Sequence, residues 1–168
     1  MKRSLFLKTS GLSVFTMTIL PQKALGFSKD LNDPEPLNNE LVKEFVVAGH
    51  KTLPRVKELL EEYPNLIYCR YDWGNGDFEE AIEGAGHLGK KDIANYLISK
   101  GARVNLFVLT MLGKTELVRP ILEAYPNLLN ALGPHGFTLL HHAKVGKAKI
   151  LEKYLLEQGL DKTHIPIK

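Results

Sequence analysis

The chain has 168 residues, the size of one domain, and is 44% hydrophobic and 24% charged, enough for a continuous apolar core. Its formal charge of +3 sits at the start: residues 1–26 hold Lys2, Arg3, Lys8 and Lys23 and no acid, leaving 18 basic against 19 acidic residues beyond. The absence of a basic stripe argues against nucleic-acid binding, and Cys69, the single cysteine, excludes an intramolecular disulfide and a cysteine metal site.

Residues 1–26 have the three parts of an export signal: a basic start, an apolar run over residues 12–20, and small residues at Ala24 and Gly26 that place cleavage before Phe27. The run is shorter than the roughly 20 residues that span a bilayer, so no stable membrane insertion is expected after cleavage. Arg3 to Lys8 (RSLFLK) resembles a twin-arginine signal with Ser4 in place of the second arginine. The expectation is a bacterial periplasmic or secreted protein, exported by a Sec or degenerate twin-arginine type signal. Residues 27–36 are polar and proline-bearing, the composition of a linker.

Residues 37–49 are helical in pattern, with Leu41, Val42, Phe45 and Val46 on one side. Thr52 and Pro54 open a second helix in the positions of a cap and a first-turn proline, and Tyr63-Pro64-Asn65 ends it. Residues 66–78 are aromatic and glycine-punctuated, long enough for a hairpin or loop. Residues 79–105 read as a short helix, a glycine turn, a second amphipathic helix and a stop at Gly101. A further short apolar segment, residues 106–112, precedes a helix capped by Thr115, with Pro120 inside it and Tyr125-Pro126-Asn127 at its end. A glycine and proline turn at 128–136 leads to a last pair, residues 137–145 and 148–158, and the tail 161–168 has no clear pattern. Leu59-Leu60, Leu97-Ile98, Ile121-Leu122 and Leu155-Leu156 align as equivalent core pairs of the second helices. Short helix pairs cannot bury such faces alone, so four stacked pairs are expected.

Thr138-Leu139-Leu140-His141-His142-Ala143, Ala85-Gly86-His87-Leu88 and Gly101-Ala102-Arg103-Val104-Asn105 resemble the helix-turn-helix pattern of the ankyrin repeat. Leu139 stands where proline is usual, and Arg103 where aspartate is common. The resemblance covers roughly residues 37–161 and is similar to a group of bacterial exported ankyrin proteins without assigned activity. It implies an all-α, ankyrin-repeat helical solenoid of about four units, a structural role for His141 beside Thr138 and for His87 at the inter-helix turn, and protein binding as the usual use of the fold.

No GxSxG, P-loop or HExxH motif is present, so no catalytic residue, cofactor or metal ligand is expected. Asp72, Asp77, Glu79, Glu80 and Glu83 read as an acidic helix start, favoured there by the helix dipole. Tyr68, Tyr71, Trp73 and Phe78 lie within eleven residues, and Trp and Tyr are enriched at binding hot spots. The expected function is therefore a non-catalytic, monomeric module that grips a protein or peptide on a concave face. Tyr71, Asp72, Trp73, Asp77, Phe78, Glu83, His135, Phe137 and His142 are its expected contacts, the carboxylates orienting a basic or amide-rich partner. The alternatives are a hydrolase using carboxylate and histidine groups, and an accessory that stabilises an exported enzyme.

Overall fold

A computed structural model describes residues 34–167. The chain divides into two units, Met1–Glu35 and Pro36–Lys168, and all the helices and strands named below belong to the second. The expected export signal and all but the last residues of the expected linker lie outside the described residues.

Eight α-helices and one two-stranded ribbon make up the described residues, in the order α1 (Asn39–Lys51), α2 (Leu53–Glu62), β1 (Arg70–Asp72), β2 (Phe78–Glu80), α3 (Ala81–His87), α4 (Lys91–Ser99), α5 (Leu106–Met111), α6 (Thr115–Ala124), α7 (Leu139–Val145) and α8 (Lys149–Glu157). Each odd-numbered helix packs on the even one that follows, and the odd helices pack on one another in sequence, α1 on α3, α3 on α5 and α5 on α7. The fold is all-α in class. None of these helices is long and apolar enough to cross a membrane.

Local chemistry sets the boundaries. Asn38, Asn105 and Thr138 cap α1, α5 and α7 by accepting the N–H groups of Glu40, Val108 and His141, satisfying donors that a helix start leaves free. The two Tyr-Pro-Asn sequences end α2 and α6 and open single 3-10 turns, Pro64–Tyr68 and Pro126–Asn130. Proline fits the first turn of a helix because its missing N–H would be unbonded there. Gly101 stops α4 at φ +94°, the left-handed conformation expected of it. Helix α6 runs through Pro120, and Lys114 rather than Thr115 occupies its cap.

The core forms two contiguous clusters. Phe45, Leu59, Leu66, Ile82, Ile93, Leu97 and Met111 fill the first, and Val118, Leu122, Leu139, Leu140, Leu151 and Leu155 the second. Each fully buried side chain of this size contributes about 1.5–3 kcal/mol. Leu59 and Leu60 are both buried, but the other aligned pairs of the second helices divide: Leu97, Leu122 and Leu155 are buried, whereas Leu156 is 49% exposed. Successive helical residues point about 100° apart, so the narrower contacts of α4, α6 and α8 take only one of two.

The expected hairpin is an antiparallel ribbon, β1 against β2 with Tyr71 opposite Glu79, and it takes Glu79 and Glu80 from the expected helix, which starts at Ala81. Its turn takes left-handed backbone at Gly74, Asn75 and Gly76, and β1 packs on α1. The tail, patternless in sequence, pairs with the segment before α7. Thr138 donates its N–H to the Thr163 carbonyl, and Ile165 donates to Gly136.

Candidate functional site

Two glycines bring the first two helix pairs together tightly enough to build a site between them. A Cβ at Gly49 would collide with the Ala81 carbonyl, so only glycine lets α1 approach α3 this closely. The next residue, His50, then lies over Gly84, where a Cβ would fall 2.6 Å from the imidazole Cε1. His87 ends α3 and faces the same space. Glu79 enters from β2 and is wholly buried, whereas Phe78 before it is exposed. His135 arrives from the turn before α7 in a left-handed conformation, φ +60°. Asp77 holds it there by accepting both its backbone N–H, at 2.9 Å, and its Nδ1–H, at 2.7 Å.

Three imidazoles thus surround one carboxylate. His87 Nε2 lies 2.8 Å from Glu79 Oε1 and 3.0 Å from His50 Nε2. His50 Nε2 is 3.2 Å from the same oxygen. Glu79 Oε2 accepts the Trp73 indole N–H at 2.7 Å and lies 3.4 Å from His135 Nε2. The far side of two rings is fixed. His50 Nδ1 is 2.9 Å from the Val46 carbonyl, which only accepts, so Nδ1 carries the proton. The Asp77 carboxylate imposes the same on His135. Both rings, when neutral, therefore turn a lone pair at Nε2 towards Glu79. His87 Nδ1 is the buried side-chain polar atom without a hydrogen-bond partner among the described residues, so Nε2 alone orients that ring.

Burial would raise the Glu79 carboxyl, but hydrogen bonds and charge from His50 and His87 outweigh it and hold the group at about 2. Burial likewise pulls the His50 imidazole down, and the Glu79 carboxylate carries it above its ordinary value. Around this centre stand Trp73, edge-on to His50 and His135 at 6.4 and 5.9 Å, and Phe137, stacked on His87 at 5.1 Å.

Beside the site, an open cleft of about 360 Å³ runs between the ribbon and the turn before α7, lined by Arg70, Phe78, Phe107, Leu132, Pro134 and Ile167. Phe78, Leu132 and Ile167 are 47%, 37% and 41% exposed. A larger cleft, about 530 Å³, lies between α2 and α4. Its two lysines, Lys57 and Lys100, already sit over the Tyr96 ring at 5.3 and 5.6 Å.

The expected contact residues separate. Asp72, Trp73 and Phe78 are exposed, and Tyr71, Asp77, His135 and Phe137 half-buried. Glu83 and His142 are buried, Glu83 in the wall of the 360 Å³ cleft together with Asp77. Glu83 accepts the Glu80 N–H, closing the start of α3, and the Asn105 amide, both at 2.7 Å. His142 donates Nδ1–H to the Thr138 carbonyl, and burial, aided by charge from His141 and His87, lowers it to about 4. His141 has the expected local tie, its N–H donating to Thr138 Oγ1 at 3.4 Å, and its Nε2–H reaches the His87 carbonyl at 2.8 Å. With Glu83 buried and Asp77 occupied by His135, the three carboxylates do not form an exposed acidic surface.

Sequence reasoning passes over His50 and assigns Glu79 to a solvated helix start. One signal lies in the chain: Ala-Gly-His occurs at 48–50 and again at 85–87, each time closing an odd-numbered helix. Equivalent ends of stacked neighbours lie side by side, so the repeat places two imidazoles together.

No family model matches the chain. It is similar to alpha-latrocrustotoxin-Lt1a from Latrodectus tredecimguttatus, 31% identical over an 88-residue alignment that covers 48% of this chain. The match spans 6% of the toxin's length.

Proposed function

We propose that the chain is an exported, ankyrin-type helical-repeat module that binds a segment of another protein. The observation that carries this reading is the open cleft flanked by Phe78, Leu132 and Ile167. Three large apolar side chains exposed around one groove suit a partner loop with an apolar anchor, since such patches on a soluble surface mark interaction sites. The consecutive stacking of odd helices supports the repeat reading, as do the Thr138 cap and the His141 bond to the preceding pair. Trp73 belongs to the edge of this surface, its nitrogen turned inward to Glu79 and its ring 37% exposed.

A hydrolase has one observation in its favour, the convergence of three imidazoles on Glu79. The carboxylate, however, is wholly buried with both oxygens facing donors, so it offers no exposed base to an attacking water.

The test is capture by the full-length chain, tagged at its C-terminus, beside a Phe78→Ser/Leu132→Ser variant. A partner counts when, purified, it rebinds the wild type and the variant weakens it at least about tenfold, the effect of losing roughly 1.4 kcal/mol. Purified partners that bind both proteins equally would remove the cleft from the account.

A further inference from the structure

We propose that Glu79 and the Nε2 atoms of His50, His87 and His135 bind one zinc-class divalent ion. The inference does not depend on the binding-module reading.

The four donor atoms lie within 4.8 Å of one another. Four ligands placed 2.0–2.1 Å from a tetrahedral ion are about 3.3 Å apart. The separations of 2.8, 3.0 and 3.2 Å among Glu79 Oε1, His50 Nε2 and His87 Nε2 lie just inside that edge, and a nitrogen of His135 completes the set within 4.8 Å. The longest separation closes by about 1.5 Å when the rings turn onto the ion. Donor chemistry agrees, because three imidazoles and a carboxylate suit zinc and its neighbours rather than calcium or magnesium, which take oxygen ligands.

The outer shell is the stronger argument. A ligating histidine is normally held by a carbonyl or carboxylate on its other nitrogen. Val46 does this for His50 and Asp77 for His135, and each leaves Nε2 bare towards the centre. Trp73 holds the remaining Glu79 oxygen. Asp77 comes from the ribbon turn, 58 residues before the ring it orients, and is itself only half-buried. Without an ion, His50 and His87 present two Nε2 atoms 3.0 Å apart to one carboxylate oxygen, a contact that at most one proton bridges. An ion takes both lone pairs and Glu79's charge at once.

Four protein ligands make a closed site, the form of structural rather than catalytic zinc. Its ligands come from α1, β2, α3 and the turn before α7, so the ion joins segments that meet only in the folded chain. Binding therefore stabilises the fold, and only the fold presents the site.

The experiment uses the full-length chain stripped with a chelator and titrated with Zn²⁺, followed by equilibrium dialysis and by emission from Trp73, the only tryptophan. Co²⁺ in place of Zn²⁺ reports four-coordinate geometry through its visible absorbance. One ion per chain is expected, with a raised melting temperature. His135→Asn is the cleanest ligand variant, since asparagine tolerates the left-handed backbone there. Its zinc affinity should fall more than about 100-fold, and that of Asp77→Asn by about 10- to 100-fold, the range for outer-shell partners. Far-UV circular dichroism shows whether each variant remains folded. No stoichiometric ion in the wild type, or equal affinity in a folded His135→Asn variant, overturns the proposal.

Discussion

Two groups of histidines sit close together in this molecule and behave oppositely. His141 and His142 each donate to a backbone carbonyl, and burial lowers both. His50 also donates outward to a carbonyl, yet its other nitrogen meets Glu79 and it is raised. The same side chain is a cap and spacer in one place and a converging ligand in the other. What decides is whether a carboxylate stands on the free side of the ring. A lone histidine in a helical repeat therefore carries no functional meaning until its second nitrogen is accounted for.

The largest way to break this contrast is to remove the carboxylate. Glu79→Ala leaves His50 and His87 facing each other without a counter-charge, and loss of one side of a buried pair costs about 3–5 kcal/mol. Urea unfolding of chelator-treated protein at pH 7 measures it, and a loss below about 1 kcal/mol would contradict the central role given to Glu79.

Acid sharpens the other half. The unfolded His142 imidazole titrates near 6.5 and the folded one at about 4, so between those values the unfolded chain binds more protons. Stability from this group is complete above pH 6.5 and is lost as pH falls towards 4, about 3 kcal/mol in all. His142→Gln keeps a donor for the Thr138 carbonyl and cannot titrate, so its unfolding free energy should fall less across that window than the wild type's. Parallel pH profiles would count against a buried neutral ring.

Smaller effects test how the site is held. Gly84→Ala drives a methyl group into the His50 ring and should cost about 1–3 kcal/mol as an overpacked contact. The same variant should lose zinc affinity, whereas a merely structural glycine would affect only stability. Asp77→Asn retains an acceptor for the His135 backbone N–H but loses the charged bond to the ring. The expected destabilisation is about 1–2 kcal/mol, read by thermal unfolding.

Much of the scaffold is legible in the sequence because its causes are local. Gly101 stops α4 and the two Tyr-Pro-Asn sequences end α2 and α6, whereas Thr52 makes no side-chain cap bond and Thr115 lies one residue past the cap of α6. The aromatic stretch with Gly74 and Gly76 forms the ribbon that its turn residues allow. The site is less legible because its causes are distant. His50 and His87 are 37 residues apart, and Asp77 and His135 58 apart. Glu79 looks like any acid at a helix start until the ribbon register points it inward opposite Tyr71. Glu83 likewise looks like a free acid until the fold gives it the Glu80 N–H, the Asn105 amide and Arg70 as partners. His142 lies on the face that α7 turns to the core, which its neighbour His141 conceals in the sequence.

The most direct test of the contrast is a long-range ¹H–¹⁵N spectrum of the imidazoles, recorded on the chelator-treated chain and again with one equivalent of Zn²⁺. The account predicts that the Nε2 resonances of His50, His87 and His135 move together on adding zinc. His141 should keep its proton on Nε2 and His142 on Nδ1, both unmoved. Zinc-dependent shifts at His141 or His142, or none at the three rings around Glu79, would contradict it.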